Sequence, residues 1–260
     1  MFFFMSQISA LKYPLFQPYP EIIHGVFLRH GGVSLGPIGS LNVGGSVGDD
    51  LSKIQENRAR ISSFLNIPSI VYAKQTHGTS IHRVTREDLD QPQGWNLLRA
   101  SSMKGMDALF TTEKNIGLSI LHADCQAAIF YDPTHQALGM AHAGWRGSIQ
   151  NIYSSLIEAM GKSIGTKPQD LLVSISPSLG PNHAEYKNYK VDFPQDLWRF
   201  QTTPNHFDFW EMSLSQLIAR GVLKNNIEIS RICTYSEKAD YFSYRRDQIT
   251  GRHATVAALQ

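Results

Sequence analysis

Between residues 137 and 160 the chain changes character twice. Ala137-Leu138-Gly139-Met140-Ala141 is an apolar run, and His142-Ala143-Gly144-Trp145-Arg146-Gly147 follows it. Ile149, Ile152, Tyr153, Leu156 and Met160 then recur at helical spacing. The pattern predicts a strand over 137–142, a turn through two glycines and a helix over about 147–160. It also places an imidazole, an arginine and the unpaired N–H groups of a helix start at one spot, an arrangement that favours an anion. Upstream, Ala123-Asp124-Cys125 also ends an apolar run.

The rest of the chain alternates in the same way. Asp49-Asp50 reads as a helix start, and Leu51, Ile54, Arg58, Ile61 and Leu65 form one face of the helix that follows. An arginine on an apolar stripe is either paired inside or aimed at a pocket. Residues 70–77 read as a strand with Val71, Ala73, Gln75 and His77 on one side. Residues 86–105 read as a polar loop. Strands are expected at 116–121, 127–131, 171–176 and 227–233, helices near 194–201 and 213–220, and a strand-like tail over 241–260. No repeat or linker interrupts the chain, so residues 1–260 are expected to form one α/β (α+β) domain, with mixed β-sheets flanked by helices.

Composition excludes several classes. The chain has 260 residues, 42% hydrophobic and 18% charged, which fits a globular soluble protein rather than a disordered one. A formal net charge of +2 with no Lys/Arg run leaves no electrostatic footprint for nucleic acid. No apolar run approaches the roughly 20 residues of a membrane span. Met1-Phe2-Phe3-Phe4-Met5 lacks a basic n-region and reads as the lead-in to a strand rather than a signal peptide. Two cysteines are too few for a disulfide framework, and a cytoplasmic location is expected.

His77, Cys125 and His142 each fall at a predicted strand end. Two imidazoles and a thiolate are a good zinc set, and three protein ligands leave a fourth position for water or substrate. Their spacing matches no short zinc-finger interval, and a buried cysteine with two structural histidines satisfies the pattern as well. His82, His122 and His135 compete poorly, being out of phase or in a turn. Cys233 reads as a small buried hydrophobe rather than a fourth ligand.

His142-Ala-Gly-Trp-Arg-Gly147, Ala123-Asp-Cys125 and Gln75-Thr-His-Gly78 together resemble the YfiH-type laccase-domain family. That family is also called the polyphenol oxidase family and, more recently, a purine nucleoside phosphorylase family. Gly31-Gly32-Val33-Ser34, Ser40-Leu41-Asn42-Val43-Gly44, Gly48-Asp49-Asp50, Glu56-Asn57-Arg58, Asp107-Ala108-Leu109, Cys233-Thr234 and Phe242-Ser243-Tyr244-Arg245-Arg246-Asp247 extend the resemblance over nearly the whole chain, with Thr250-Gly251-Arg252. The resemblance implies a catalytic Zn²⁺ on His77, Cys125 and His142. It implies phosphorolysis of adenosine, inosine and methylthioadenosine, with phosphate as co-substrate, and deamination of adenosine. An older label for the family implies copper-dependent oxidation of phenols. Departures from the family pattern at His122, at Gln126-Ala127 and over Asn182–Tyr186 bear on substrate preference rather than on the ligands.

Within that frame Asp124 is a candidate to orient a histidine or shuttle a proton, or is a turn residue. Arg146 suits a phosphate oxygen, or pairs with a surface carboxylate. Arg58 is a substrate contact or half of a buried ion pair. Asn42 is a candidate for a purine edge or a ribose hydroxyl, or simply forms its turn. Trp145 packs under the turn or stacks on a base, and Arg245 and Arg246 are solvated charges or reach the site. Three rivals stand beside the zinc enzyme. One is a copper oxidase, disfavoured by ten histidines with no His-x-His pair. The others are a cysteine hydrolase with Cys125 as nucleophile and His142 as base, and a non-catalytic binding protein.

Overall fold

The computed structural model describes residues 7–260; the strand lead-in expected at Met1–Met5 lies outside the described residues. In chain order the strands are β1 (Ala10–Leu11), β2 (Ile22–Phe27), β3 (Ser69–Tyr72), β4 (Ile81–Arg83), β5 (Gly94–Leu97), β6 (Ala108–Thr111), β7 (Ile116–His122), β8 (Gln126–Asp132), β9 (Ala137–Ala143), β10 (Leu172–Ile175), β11 (Gln201–Thr203), β12 (His206–Phe207), β13 (Ile227–Ile229) and β14 (His253–Leu259). The α-helices are α1 (Leu51–Leu65), α2 (Ala100–Lys104), α3 (Trp145–Ile149), α4 (Ile152–Ile164), α5 (Tyr189–Asp192), α6 (Phe209–Ala219) and α7 (Tyr244–Asp247).

Two six-stranded mixed sheets stack face to face. One runs β1-β2-β14-β7-β3-β5 and the other β13-β10-β8-β9-β6-β4, with β11 and β12 forming a separate hairpin. Side chains alternate across each strand and sort the core into layers. In β8, Ala127, Ile129 and Tyr131 enter the layer between the sheets. Ala128 and Phe130 face the other way, against Tyr153, Leu156 and Met160 of α4. In β14, Ala257 and Leu259 face the inter-sheet layer. Ala254, Val256 and Ala258 pack against Ile61 and Leu65 of α1. The order is therefore helix, sheet, sheet, helix. Strands buried on both faces carry near-continuous apolar sequence, and this is why β8, β9 and β14 stand out in the sequence.

Several boundaries differ from the sequence expectation. The helix expected over about 147–160 is two helices. Asn151 breaks it in the left-handed conformation (φ 57°) and caps α4 by accepting from Ser154 N. The strand expected at 70–77 stops at Tyr72, so His77 lies on a loop. The polar stretch 86–105 contains β5, paired in parallel with β3, and α2. The helix near 194–201 is a 3₁₀ segment, Gln195–Phe200. The next helix starts at Phe209, where Asp208 accepts from Trp210 N and Glu211 N. Only Ile227–Ile229 of 227–233 pairs as a strand. Helix α1 begins where expected, capped by Asp50, although Leu51 is exposed and Asn57 takes a buried place beside Ile54 and Ile61.

Leu156 is fully buried between α4 and the second sheet. Truncation to alanine removes buried methyl groups and leaves a cavity. We expect Leu156→Ala to lower unfolding free energy by about 2–5 kcal/mol, measured by urea denaturation. A loss below about 1 kcal/mol would show that α4 is not a core element.

Candidate metal centre and active site

The antiparallel register of β8 and β9 sets Ala127 opposite His142 and Gln126 opposite Ala143. The turn Ala123–Cys125, joining β7 to β8, therefore lies beside the C-terminal end of β9. His142 shares its face of β9 with Leu138 and Met140, so its ring enters the inter-sheet layer, where it is 3% exposed. A polar ring there needs a partner, and Asp107, directly before β6, supplies it. His142 Nδ1 lies 2.9 Å from Asp107 Oδ1, and His142 N donates to the Asp107 carbonyl at 2.7 Å. With Nδ1 on the carboxylate, Nε2 is left for the ligand role.

The same carboxylate builds the loop that carries His77. Asp107 Oδ1 accepts from His77 N at 2.8 Å, and Oδ2 accepts from Gly78 N at 2.8 Å and from Thr76 N at 3.2 Å. His77 sits at φ 62°, a left-handed conformation that costs a non-glycine residue roughly 1 kcal/mol. The Asp107 contacts hold it there. Gly144 then makes room for the ring, since a Cβ at that position would sit 2.3 Å from His77 Cδ2. The two imidazoles meet edge to face, with centroids 4.8 Å apart.

Cys125 Sγ lies 3.8 Å from His77 Nε2, and one ligand atom from each of His77, Cys125 and His142 falls within 4.8 Å of the others. A tetrahedral Zn²⁺ with bonds of about 2.0–2.3 Å keeps its ligands roughly 3.3–3.8 Å apart, so this donor set fits one ion after small adjustments. Burial opposes ionisation of Cys125, but the adjacent His142 and His77 outweigh it and bring the thiol down to about 6. Burial likewise opposes charge on His142, while the Cys125 thiolate and Asp107 raise it to about 9. Asp107 is held below the usual carboxylate range: burial opposes this, and the hydrogen bond and charge of His142 outweigh it. Without metal, Cys125 and His142 form a thiolate–imidazolium pair, as a cysteine nucleophile would require. His77 adds a third donor that such a pair does not need.

The ligands open into a cavity of about 630 Å³, with Arg58, Lys74, His122, Tyr244 and Arg252 on its walls. Arg252 and Lys74 are cations of this wall that sequence reasoning missed. Among the described residues the side-chain hydrogen bonds of Arg252 run through Nη1, to the Thr250 and Gly251 carbonyls. Asp107 was missed as well, although it stands immediately before the apolar run Ala108-Leu109-Phe110. A second cavity, of about 260 Å³, is also lined by His77 and Cys125.

Other expected site residues are placed differently. Asn42 is fully buried; its Oδ1 accepts from Gly44 N and Arg252 N, and its Nδ2 donates to Asp49 Oδ2 and the Gly44 carbonyl. It therefore positions Arg252 and does not face the cavity. Among the described residues Asp124 forms no hydrogen bond with a histidine. Oδ1 accepts from Thr234 Oγ1 at 2.7 Å and Oδ2 from Arg245 N at 2.6 Å, so it ties the Cys125 turn to two later segments. The orienting role expected of Asp124 belongs to Asp107. Arg58 lines the cavity, but it donates to the Val43 carbonyl and to Tyr72 Oη and stacks on the Tyr72 ring. Arg146 is exposed, packs over its neighbour Trp145 and lines neither cavity at the ligands. Helix α3 is too short for the helix-start argument that pointed to Arg146. Cys233 Sγ accepts from Gly180 N, away from the ligand group. Arg246 is spent on the carbonyls of Thr234, Tyr235 and Tyr241.

Two outcomes follow for the metal. Asp107→Asn should weaken Zn²⁺ affinity by roughly 10–100-fold in chelator competition, because it removes the charge that orients His142. Unchanged affinity would deny Asp107 that role. Binding also requires neutral His142 and ionised Cys125. Between about 6 and about 9 one proton on His142 competes with the metal. Apparent affinity should therefore rise roughly tenfold per pH unit across that window and level off above it. Below the window the dependence should steepen, as the thiolate also takes a proton. A flat profile between pH 6 and 9 would contradict the pair.

Comparison with known proteins identifies the family. Residues 23–260 match the family described as multi-copper polyphenol oxidoreductase laccase. Purine nucleoside phosphorylase YlmD of Geobacillus stearothermophilus is 34% identical, over 90% of this chain and 89% of its own. Purine nucleoside phosphorylase YfiH of Escherichia coli is 29% identical, over 89% of this chain and 91% of its own. The crystal structure of YlmD from Geobacillus stearothermophilus matches with a TM-score of 0.83 at 32% identity, covering 94% of each chain. The chain belongs to the laccase-domain family of YfiH and YlmD, whose curated relatives carry the name purine nucleoside phosphorylase.

Proposed function

We propose that this chain is a Zn²⁺-dependent purine nucleoside phosphorylase acting on adenosine, inosine and methylthioadenosine, with deamination of adenosine at the same site. The observation that carries it is the His77–Cys125–His142 donor set opening into a cavity of ligand size with cationic walls. The names of the relatives support the substrate class. Zn²⁺ on the three ligands supplies a Lewis acid for phosphate or water.

The chain's own residues divide the remaining work. Arg252 and Lys74 hold the phosphate anion, with Arg252 presenting the part of its fork not committed to Thr250 and Gly251. Asn42 fixes the backbone of Arg252. Asp107 keeps His142 and His77 in place. Arg58, bonded to Val43 and Tyr72, stiffens the far wall. No helix among the described residues is long and apolar enough to cross a membrane. Both cysteines are free, which supports a reducing, cytoplasmic setting.

A second reading has one observation in its favour: two histidines and a cysteine are also a copper donor set. Metal analysis and turnover decide between the two. The expected result is about one zinc per chain, negligible copper, and release of adenine or hypoxanthine only when phosphate is present. Cys125→Ala should lose both metal and turnover. Stoichiometric copper with phenol oxidation, and no base released from any nucleoside, would overturn the proposal.

A further inference from the structure

We propose that the 260 Å³ cavity is the purine-base subsite, and that Arg245 in its wall reads the 6-oxo edge of the base. This rests on the phosphorylase reading above and assigns the part of the substrate that reading left unplaced.

The two cavities share His77, Ala123, Cys125 and Tyr244 as a common wall. Beyond that wall their linings diverge. The larger is completed by His142 of β9 and otherwise by residues of the first sheet, α1 and nearby loops, and it carries the cations Arg58, Lys74 and Arg252. The smaller is completed from the second sheet, α3 and α6, and it carries flat aromatic faces: Trp145, Tyr186 and Phe209, with Leu179 beside them. An anion belongs in the first. A planar, weakly polar ring belongs in the second, where its faces stack and water is excluded. A volume of about 260 Å³ admits a bicyclic base and leaves the sugar to span the shared wall.

The reaction demands this separation. In phosphorolysis a phosphate oxygen forms a bond to ribose C1′ as the C1′–N9 bond breaks, and the bonding pair departs with the base. The hydrogenphosphate proton ends on the base, so atoms and charge balance. The nucleophile must approach C1′ from the side opposite the departing base, and two cavities that share His77, Ala123, Cys125 and Tyr244 offer separate places for the two groups beside one sugar position.

Arg245 supplies the specificity. Its backbone N is anchored on Asp124 Oδ2, Nη1 donates to the His183 and Glu185 carbonyls, and the guanidinium also engages the Tyr186 hydroxyl. The guanidinium lies 5.4 Å from the Tyr186 ring centre, within the cavity lining. Of the five N–H groups of the guanidinium, two carbonyls and the Tyr186 hydroxyl engage three, and two are left to donate. A 6-oxopurine offers two acceptors side by side, O6 and N7, which an arginine fork matches, whereas adenine puts an amine donor at position 6. Donation to O6 and N7 also stabilises the negative charge on the departing base.

The test uses the metal-loaded full chain. Phosphate-dependent turnover of inosine and adenosine is measured together with calorimetric binding of free hypoxanthine. Arg245→Met should lower kcat/KM for inosine about tenfold or more, and for adenosine less than about threefold. Leu179→Trp, which fills the cavity, should raise KM for both nucleosides about tenfold and remove hypoxanthine binding. Both variants should keep the phosphate KM within about twofold and a full complement of metal. If Arg245→Met fails to fold, Arg245→Lys keeps a cation without the fork and is judged by the same inosine-to-adenosine ratio. An unchanged ratio overturns the role of Arg245. Hypoxanthine bound as tightly by Leu179→Trp as by the parent overturns the subsite. If the parent releases no base from any nucleoside, phosphorolysis falls, and the calorimetry still decides the cavity.

Discussion

The carboxylate of Asp107 is the interaction on which the site depends. It is fully buried and accepts five hydrogen bonds: from Thr76 N, Thr76 Oγ1, His77 N, Gly78 N and His142 Nδ1. A buried charge is tolerable only when its lone pairs are engaged, and these are. The result is a junction of three chain segments. It sets His77 in a conformation the residue would not choose, and it selects the tautomer of His142. The charge reaches Cys125 at one remove, since Asp107 helps keep His142 protonated, and His142 in turn favours the thiolate. Without Asp107, His77 and His142 lose the one carboxylate that holds both.

This dependence explains what the sequence shows and what it hides. The layered α/β architecture is legible because β8, β9 and β14 are buried on both faces, and such strands are apolar throughout. Their order and the pairing of β3 with β5 come from tertiary contacts with no local signal. The residues of the donor set are legible as chemistry at strand ends. The path to His77 is not, because alternation continues to residue 77 while the strand ends at Tyr72, where remote Asp107 captures the chain. Asn151 is the opposite case. Its capping signal is local, and a run of apolar residues at helical spacing masks it.

Polar residues in turns were the least readable. Asn42, Asp124 and Arg245 each sit in a segment rich in turn formers, and each has a partner far away in sequence: Asn42 with Arg252, Asp124 with Thr234 and Arg245. From one sequence such residues look like free functional groups facing a ligand. In the fold Asn42 lies one layer behind the larger cavity and holds Arg252, while Asp124 sits in the lining of the smaller one and holds Arg245. Arg146 shows the converse error. Its neighbours form a helix start, but the helix lasts five residues and the guanidinium lies outside, over Trp145.

The segment 142–147 gains its meaning from where the two sheets meet. His142 points into the layer between them and joins the donor set. Gly144 gives up a side chain so that the His77 ring can close against it. Trp145 turns the other way, stacking on Phe193 and walling the aromatic cavity. Gly147 packs close to the Gly78 carbonyl and so keeps α3 near the His77 loop. Four residues thus serve a ligand, a clearance, a wall and a close approach. A larger side chain at Gly144 would act on the metal centre through His77 without touching the metal. The constraint on this turn is therefore set by the loop it faces rather than by the helix it begins.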